Sequence, residues 1–133
     1  MSMTNFTVQL KKVGLAATAL TDTKALRGAA GLTLPKQVVK PKTVAEVQAV
    51  QKAAHAAGIP LWVTPNANGN GLQVSSRKGQ PVLVDLSAMQ AVLNIDKESA
   101  HALVEPGVSY AQLSAALQAK GYQFWIDSGR DAA

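Results

Sequence analysis

"VVKPKTVAEVQAVQKAAHAAGIPLWV" (Val38–Val63) contains an extended segment, a helix whose two ends are both marked, and a second strand. Thr43 with Glu46 three residues later has the pattern of a capping box, which predicts that the helix begins there. Gly58 predicts its end, because glycine readily takes the left-handed backbone that closes helices. The residues predicted to form its buried face are Val44, Val47, Val50 and Ala54.

Two apolar strands are predicted beside this helix. Ile59–Val63 is the first, and "PVLVDL" (Pro81–Leu86) is the second, almost wholly apolar as in strands covered on both faces. Together with the extended segment Gln37–Lys40 they predict a small parallel sheet, with the helix Thr43–Ala57 packed on one face. Upstream, residues 7–30 are rich in Ala, Leu and Thr and predict a further helix.

The pattern changes in the second half of the chain. Val92–Asp96 and His101–Val108 predict an antiparallel hairpin, and Ser109 begins another capped helix that ends at Gly121. The segment after Gly121 predicts a strand and then a polar tail. The side chains predicted to face inward from the second capped helix are Tyr110, Leu113 and Leu117. The fold class is therefore α+β (α/β-like), a small parallel sheet with packed helices followed by the start of an antiparallel part.

Composition excludes several classes of protein. The 133 residues are 47% apolar and 16% charged, which is typical of a globular chain. The chain has no cysteine, and neither His55 nor His101 has a partner at metal-ligand spacing, so no metal site is predicted. No apolar run approaches the roughly 20 residues of a membrane span. A secretory signal at Lys11–Leu20 is disfavoured. A cytoplasmic location is favoured, and a periplasmic one stays open.

Positive charge is concentrated at the start of the chain. Residues 1–52 carry eight Lys and Arg against Asp22 and Glu46, a net charge of +6, so the remaining residues carry −1. The basic residues are spread singly with few aromatic residues among them, which disfavours nucleic-acid binding. A solvated face or an anion-attracting surface is the favoured interpretation.

The segment "NANGNG" (Asn66–Gly71) follows the first apolar strand. A glycine- and asparagine-rich turn can gather backbone N–H groups into a concave anion site, and asparagine adds amide donors. The segment is neither the dinucleotide-binding G-x-G-x-x-G motif nor a Walker loop. On spacing alone, an ordinary connection between strands is favoured over an anion site.

The order of segments carries more information than the loop alone. The helix that starts at Pro-x-Thr, "DLSAM" (Asp85–Met89), "NID" (Asn94–Asp96) and "VEPGVSY" (Val104–Tyr110) follow one another. In this order the chain resembles the FAD-binding (PCMH-type) domain of the vanillyl-alcohol oxidase and p-cresol methylhydroxylase family, over about residues 35–127. "IPLWV" resembles the branch that oxidises 4-alkylphenols. The resemblance implies an N-terminal, partly helical extension over residues 1–34 and an incomplete FAD-binding domain over residues 35–133.

The resemblance also implies site residues. FAD would lie between two subdomains, with its diphosphate on the loop and with Pro106 and Gly107 beside it. Asp127 matches the approximate place of an acidic residue near the reactive flavin nitrogen and is the candidate catalytic residue. Trp62 and Trp125 are interpreted as core residues rather than flavin contacts. The loop residues implied to bind the diphosphate are Asn66, Ala67, Asn68, Gly69, Asn70 and Gly71.

Ala67 and Asn68 stand where the family's loop has an early glycine and the residue after it. Alanine takes positive φ at a higher cost than glycine, so weakened FAD binding is expected. Family members also continue for several hundred residues, so the chain is interpreted as a fragment that is inactive alone.

Two functions follow from these features. The first is the FAD-binding portion of an oxidoreductase that oxidises a 4-alkylphenol or other alcohol-type substrate by hydride transfer to flavin. The alternative is a non-catalytic binding or assembly module that retains the fold but has lost flavin. The expected partners are FAD and, in the complete protein, a small phenolic or alcohol substrate. No nucleic acid or membrane partner is expected, and an oligomer stays open.

Overall fold

The computed structural model describes residues 3–21, 26–28, 33–65, 72–74 and 79–126. The chain divides into two compact units, Met1–Ala88 and Met89–Ala133. The division predicted at residue 34 stays a prediction. The elements in chain order are α1 (Met3–Lys12), β1 (Thr18–Ala19), β2 (Leu26–Gly28), β3 (Gln37–Val39), α2 (Val44–Ala57), β4 (Leu61–Thr64), β5 (Leu72–Val74), β6 (Val82–Asp85), β7 (Val92–Asp96), β8 (His101–Val104) and α3 (Tyr110–Ala119).

A four-stranded sheet forms the centre of the first unit, in the order β1-β3-β6-β4. Strands β3, β6 and β4 are parallel, whereas β1 is antiparallel to β3 at one edge. The predicted pairing of the two apolar strands is confirmed, with a register that runs from Leu61 opposite Val82 to Thr64 opposite Asp85. Every residue of β6 is buried, as predicted for a strand that is covered on both faces.

The connection from β4 to β6 contains a strand that the sequence did not predict. Leu72–Val74 pairs in parallel with Leu26–Gly28 and forms a separate two-stranded sheet. Parallel strands such as β4 and β6 need a crossover connection that is longer than a tight turn. Part of this connection, strand β5, is hydrogen-bonded to β2 outside the main sheet.

Helix α2 begins and ends where its sequence predicts. The Thr43 hydroxyl accepts the N–H of Glu46 at 3.2 Å, while the Glu46 carboxylate accepts the N–H of Lys42 at 2.6 Å, one residue before the position that a capping box uses. Gly58 closes the helix in the left-handed conformation with φ 64°.

The buried face of α2 differs from the predicted one. Val44 is 64% exposed and Val47 is only half-buried, so the prediction was wrong for these two residues. The reason is that the alanine-rich face of α2, and not the face with Val44, packs into the hydrophobic cluster shared with helix α1 and the central strands. The buried residues of this helix are Val50, Ala53, Ala54 and Ala57.

The helix predicted within residues 7–30 starts earlier and is much shorter. Helix α1 ends at Lys12, and the residues that follow contain strand β1 in place of helix. Gly14, with φ 75°, donates its N–H to the Lys11 carbonyl at 3.1 Å, and the Leu15 N–H bonds to the Leu10 carbonyl at 3.0 Å. This is a Schellman motif, which terminates the helix because the left-handed residue turns the chain away from its axis.

Helix α1 contributes to the core of the first unit. Phe6 and Leu10 are completely buried and belong to one hydrophobic cluster with α2 and the central strands. The two residues lie four apart, on one face of the helix. The other buried members of the cluster are Val39, Val50, Ala53, Ala54, Ala57, Val82 and Val84.

The second unit contains the predicted hairpin and the predicted helix. Strands β7 and β8 are antiparallel with an irregularity between Val92 and Asn94, and Ser109 with Gln112 forms a complete capping box at α3. Leu117 is buried as predicted, but Tyr110 is 47% exposed and does not face inward.

The segment after α3 is not a strand over residues 122–126, contrary to the prediction. Trp125 is 92% exposed there, so its assignment to the core was wrong, because that assignment depended on the strand. Among the described residues, no helix has both the length and the apolar character that crossing a bilayer requires.

Candidate functional site

Three residues mark one edge of the parallel sheet. Lys40 follows β3, Thr64 ends β4 and Asp85 ends β6. We call the side of the sheet formed by these carboxyl ends of the strands the carboxyl edge, which is distinct from the edge strand β1. The three residues lie together because parallel strands end at the same side of a sheet. In open α/β sheets, ligands bind in the crevice outside the carboxyl ends of the strands.

Asp85 is the buried charged residue of this edge, with its side chain only 3% exposed. Its Oδ1 accepts the Ser87 N–H at 2.9 Å, and its Oδ2 lies 3.6 Å from the Nζ of Lys40. Burying a carboxylate costs free energy unless hydrogen bonds and an opposite charge compensate it. Ser87 and Lys40 supply that compensation.

The Lys40–Asp85 pair was missed in the sequence. A signal was present, because Asp85 is the one charged residue in the apolar run "PVLVDL" and a basic residue follows "QVV" of the neighbouring strand. Pairing Asp85 with the basic residue Lys40 requires the knowledge that β3 and β6 are neighbouring strands. That neighbourhood depends on the order of strands in the sheet, which the local pattern does not contain.

The predicted diphosphate loop, Asn66–Gly71, lies outside the described residues, so its role stays a prediction. The elements on both sides of it are described. Strand β4 ends at the buried Thr64, whose carbonyl accepts the Leu86 N–H at 2.9 Å, and β5 begins at Leu72. The segment that follows β4 therefore starts from the carboxyl edge.

Pro106 and Gly107 lie in a turn of the second unit that is held by hydrogen bonds. The Gly107 N–H bonds to the Met89 carbonyl at 2.8 Å. Glu105 donates its N–H to the Ala91 carbonyl at 2.9 Å and accepts the Ala91 N–H on its carboxylate at 2.8 Å. Since proline has no N–H and that of Gly107 is already used, any cofactor contact here would use a carbonyl or C–H group. The predicted role of these two residues stays a prediction.

The remaining ionisable candidates are dispersed. Asp127 lies outside the described residues, and its predicted role is untested. His55 and His101 are exposed. Across the described ranges, no group of three His, Cys, Asp or Glu residues is placed to hold a metal ion.

Within the part of the chain that the structure describes, Asp96 has a clearly perturbed pKa, and it lies where β7 enters the hairpin turn. The pKa of its carboxyl is lowered by a hydrogen bond from the Ser99 side chain, by the backbone N–H groups of Ser99 and Glu98, and by the nearby His101. Those N–H groups lie 3.3 Å and 3.0 Å from Oδ1. The carboxylate therefore stabilises the turn between β7 and β8.

Comparison with known proteins identifies the family. Residues 35–132 match the FAD binding domain family. The chain is 37% identical over 81 residues to the 4-cresol dehydrogenase [hydroxylating] flavoprotein subunit of Pseudomonas putida, covering 59% of this chain and 15% of that protein. It is 35% identical over 100 residues to a probable mitochondrial D-lactate dehydrogenase of Danio rerio, covering 74% of this chain and 20% of that protein.

Solved structures share the fold. The crystal structure of p-cresol methylhydroxylase with substrate bound superposes with a TM-score of 0.68 at 24% identity, covering 97% of this chain and 26% of that one. The 4-ethylphenol oxidase from Gulosibacter chungangensis superposes with a TM-score of 0.67 at 30% identity, covering 79% of this chain and 21% of that one.

The chain belongs to the FAD binding domain family, and its fold is that of the N-terminal part of a PCMH-type FAD-binding domain. FAD is the cofactor of this family. The chain spans at most about a fifth of the length of these two curated relatives. The residues of the carboxyl edge fit an anionic group such as a diphosphate, because the Lys40 side chain is 60% exposed and presents its ammonium group there.

Proposed function

From this family membership, we propose that the chain binds FAD with the diphosphate at the carboxyl edge, against the backbone of Asn66–Gly71. The observation that supports the proposal is the parallel pairing of β4 with β6, because it starts the following segment beside Asp85 and Lys40. Residues 1–88 carry ten Lys and Arg against three Asp and Glu, a net charge of +7, which favours the approach of an anion.

We further propose that the chain is the cofactor-binding part of an oxidoreductase that acts on a 4-alkylphenol or another alcohol-type substrate. Bound flavin would accept the hydride that the substrate loses. The identities with the 4-cresol dehydrogenase subunit and the 4-ethylphenol oxidase support a phenol, and the identity with the D-lactate dehydrogenase supports the wider class. Asp127 is the proposed acidic residue near the flavin.

The substrate class can be tested in the complete flavoprotein that contains this domain. Anaerobic addition of 4-cresol is expected to bleach the oxidised flavin absorbance, because the substrate delivers two electrons. D-lactate serves as the comparison at equal concentration. Bleaching by D-lactate alone would contradict the phenol assignment while keeping the alcohol-type class.

The second candidate function is a binding or assembly module that no longer holds flavin. It is favoured by Ala67, which stands where the resemblance to the family implies a glycine in the loop. A residue with a Cβ resists the positive φ that such loops use, so the loop would lose part of its anion-binding geometry.

A spectroscopic titration separates the two candidates. Purified chain is titrated with FAD and, separately, with riboflavin, which has the same ring but no phosphate. We expect FAD to bind about tenfold or more tightly than riboflavin, with an affinity that falls as salt is added. Equal affinities would contradict the diphosphate site. Absence of FAD binding at millimolar concentration would favour the second candidate.

A further inference from the structure

The ammonium group of Lys40 lies near the Asp85 carboxylate, but this contact does not occupy all of its N–H donors. The distance of 3.6 Å between Nζ and Oδ2 exceeds the 2.7–2.9 Å of a charge-assisted hydrogen bond. The Lys40 side chain is also 60% exposed, whereas that of Asp85 is 3% exposed. The ammonium group is therefore attracted to the edge of the sheet but keeps N–H donors available to solvent or to a ligand.

An anion can bind at the carboxyl edge only if the charge of Lys40 offsets that of the Asp85 carboxylate. Its carboxylate lies at the end of β6, between the neighbouring strands β3 and β4. A negative charge that is shielded from water acts more strongly than an exposed one, because the effective dielectric constant is lower. Without the charge of Lys40, the carboxylate would repel an anion at this edge.

We propose that Lys40 is a binding residue for the diphosphate of FAD, and that Asp85 is the buried counter-charge that retains its ammonium group at the carboxyl edge. This inference rests on the proposed function and adds a specific residue to it. Lys36 provides a comparison. It is an exposed lysine that directly precedes β3, whereas Lys40 directly follows that strand, so the two lysines lie at opposite ends of it.

The test compares Lys40→Met with Lys36→Met in the full chain, using the FAD titration. Both variants lose one positive charge, so a general effect of net charge would weaken them equally. We expect Lys40→Met to bind FAD about tenfold more weakly and with a shallower salt dependence, and Lys36→Met to stay within about twofold of the wild type. Lys40→Arg should stay within about threefold, because it keeps the charge.

A double variant addresses the stability of the edge. Lys40→Met alone leaves the Asp85 carboxylate without its counter-charge, whereas Lys40→Met with Asp85→Asn removes both charges and keeps an oxygen for the Ser87 N–H. We expect the double variant to melt close to the wild-type temperature and still bind FAD several-fold more weakly. Wild-type affinity in the double variant would overturn the inference, because Lys40 would then only neutralise Asp85.

Failure of this inference and failure of the proposed function give different results. If wild-type chain binds FAD and Lys40→Met binds it equally well, the diphosphate does not contact Lys40 and the inference is overturned alone. If wild-type chain binds no FAD, the proposed function fails first.

Discussion

The carboxylate of Asp85 lies 3.6 Å from the ammonium nitrogen of Lys40, across the ends of two neighbouring parallel strands. Parallel pairing of β3 with β6 brings these residues to one edge although they are distant in the sequence. The same edge is where β4 ends and the asparagine- and glycine-rich segment begins. The buried carboxylate of Asp85 and the exposed ammonium group of Lys40 therefore lie at the edge of the sheet from which the segment after β4 departs.

Leu10→Ala should destabilise the first unit by about 2–5 kcal/mol, because it removes a completely buried side chain and leaves a cavity. Val8→Ala is the matched control on the same helix, where Val8 is 48% exposed, and should stay within about 0.5 kcal/mol. Chemical denaturation of both variants provides the measurement. Equal losses would show that α1 does not pack through the Phe6–Leu10 face.

Ser109→Ala should lower the stability of the second unit by about 1 kcal/mol, because the Ser109 hydroxyl accepts the Gln112 N–H at the start of α3. Ser109→Asp is the control, since aspartate also caps helices well. Thermal unfolding monitored by circular dichroism measures both variants. The capping assignment would be wrong if the alanine and aspartate variants melted at the same temperature.

Asp96 should give the hairpin a pH dependence of known sign. Its pKa is lowered in the folded chain, so its contribution to stability is present above the unfolded value of about 3.9 and is lost as the pH falls through the folded value. Ser99→Ala removes the largest cause and should raise the pKa of Asp96 towards its ordinary value. NMR titration of the Asp96 carboxyl group measures both proteins. An unchanged pKa in Ser99→Ala would contradict the assigned cause.

The sequence predicted those elements whose signals are local. Thr43 and Gly58 mark the ends of α2 through contacts within one helical turn, and the capping box at Ser109 is likewise local. Gly14 carried the same signal as Gly58, but the Ala- and Thr-rich segment after it favoured a longer helix. The correct end of α1 was therefore readable from the sequence and was outweighed by composition.

Other features depend on contacts between distant segments. Strands β2 and β5 have three residues each, too few for a periodic pattern, and they exist because they pair with each other. The buried face of α2 includes Ala53 and Ala57 because that face packs into the cluster shared with helix α1, a contact that the pattern of bulky apolar residues does not reveal. The Lys40–Asp85 pair depends on strand order, so it could be found only after the topology was known.

The loop itself can be tested by adding side chains where the proposal needs bare backbone. Gly69→Val with Gly71→Val should abolish FAD binding, because two branched side chains would block close approach of the diphosphate to the backbone. Ser76→Val, further along the same connection, is the control and should bind FAD as the wild type does. Melting temperatures of both variants show whether the first unit stays folded. If the folded double variant still binds FAD, the loop only connects two strands and does not bind the diphosphate.

Binding of the FAD diphosphate at the carboxyl edge is tested most directly by an amide-resolved NMR titration of the 133-residue chain with FAD. We expect the backbone signals of Lys40, Asn66–Gly71 and Ser87 to shift with FAD and with ADP, which carries the diphosphate without the flavin ring. Riboflavin should leave these signals in place. The signal of Gln37, at the opposite end of β3, should not move with any of the three ligands. If FAD shifts only signals away from the carboxyl edge, or shifts none at millimolar concentration, the diphosphate of FAD does not bind at this edge.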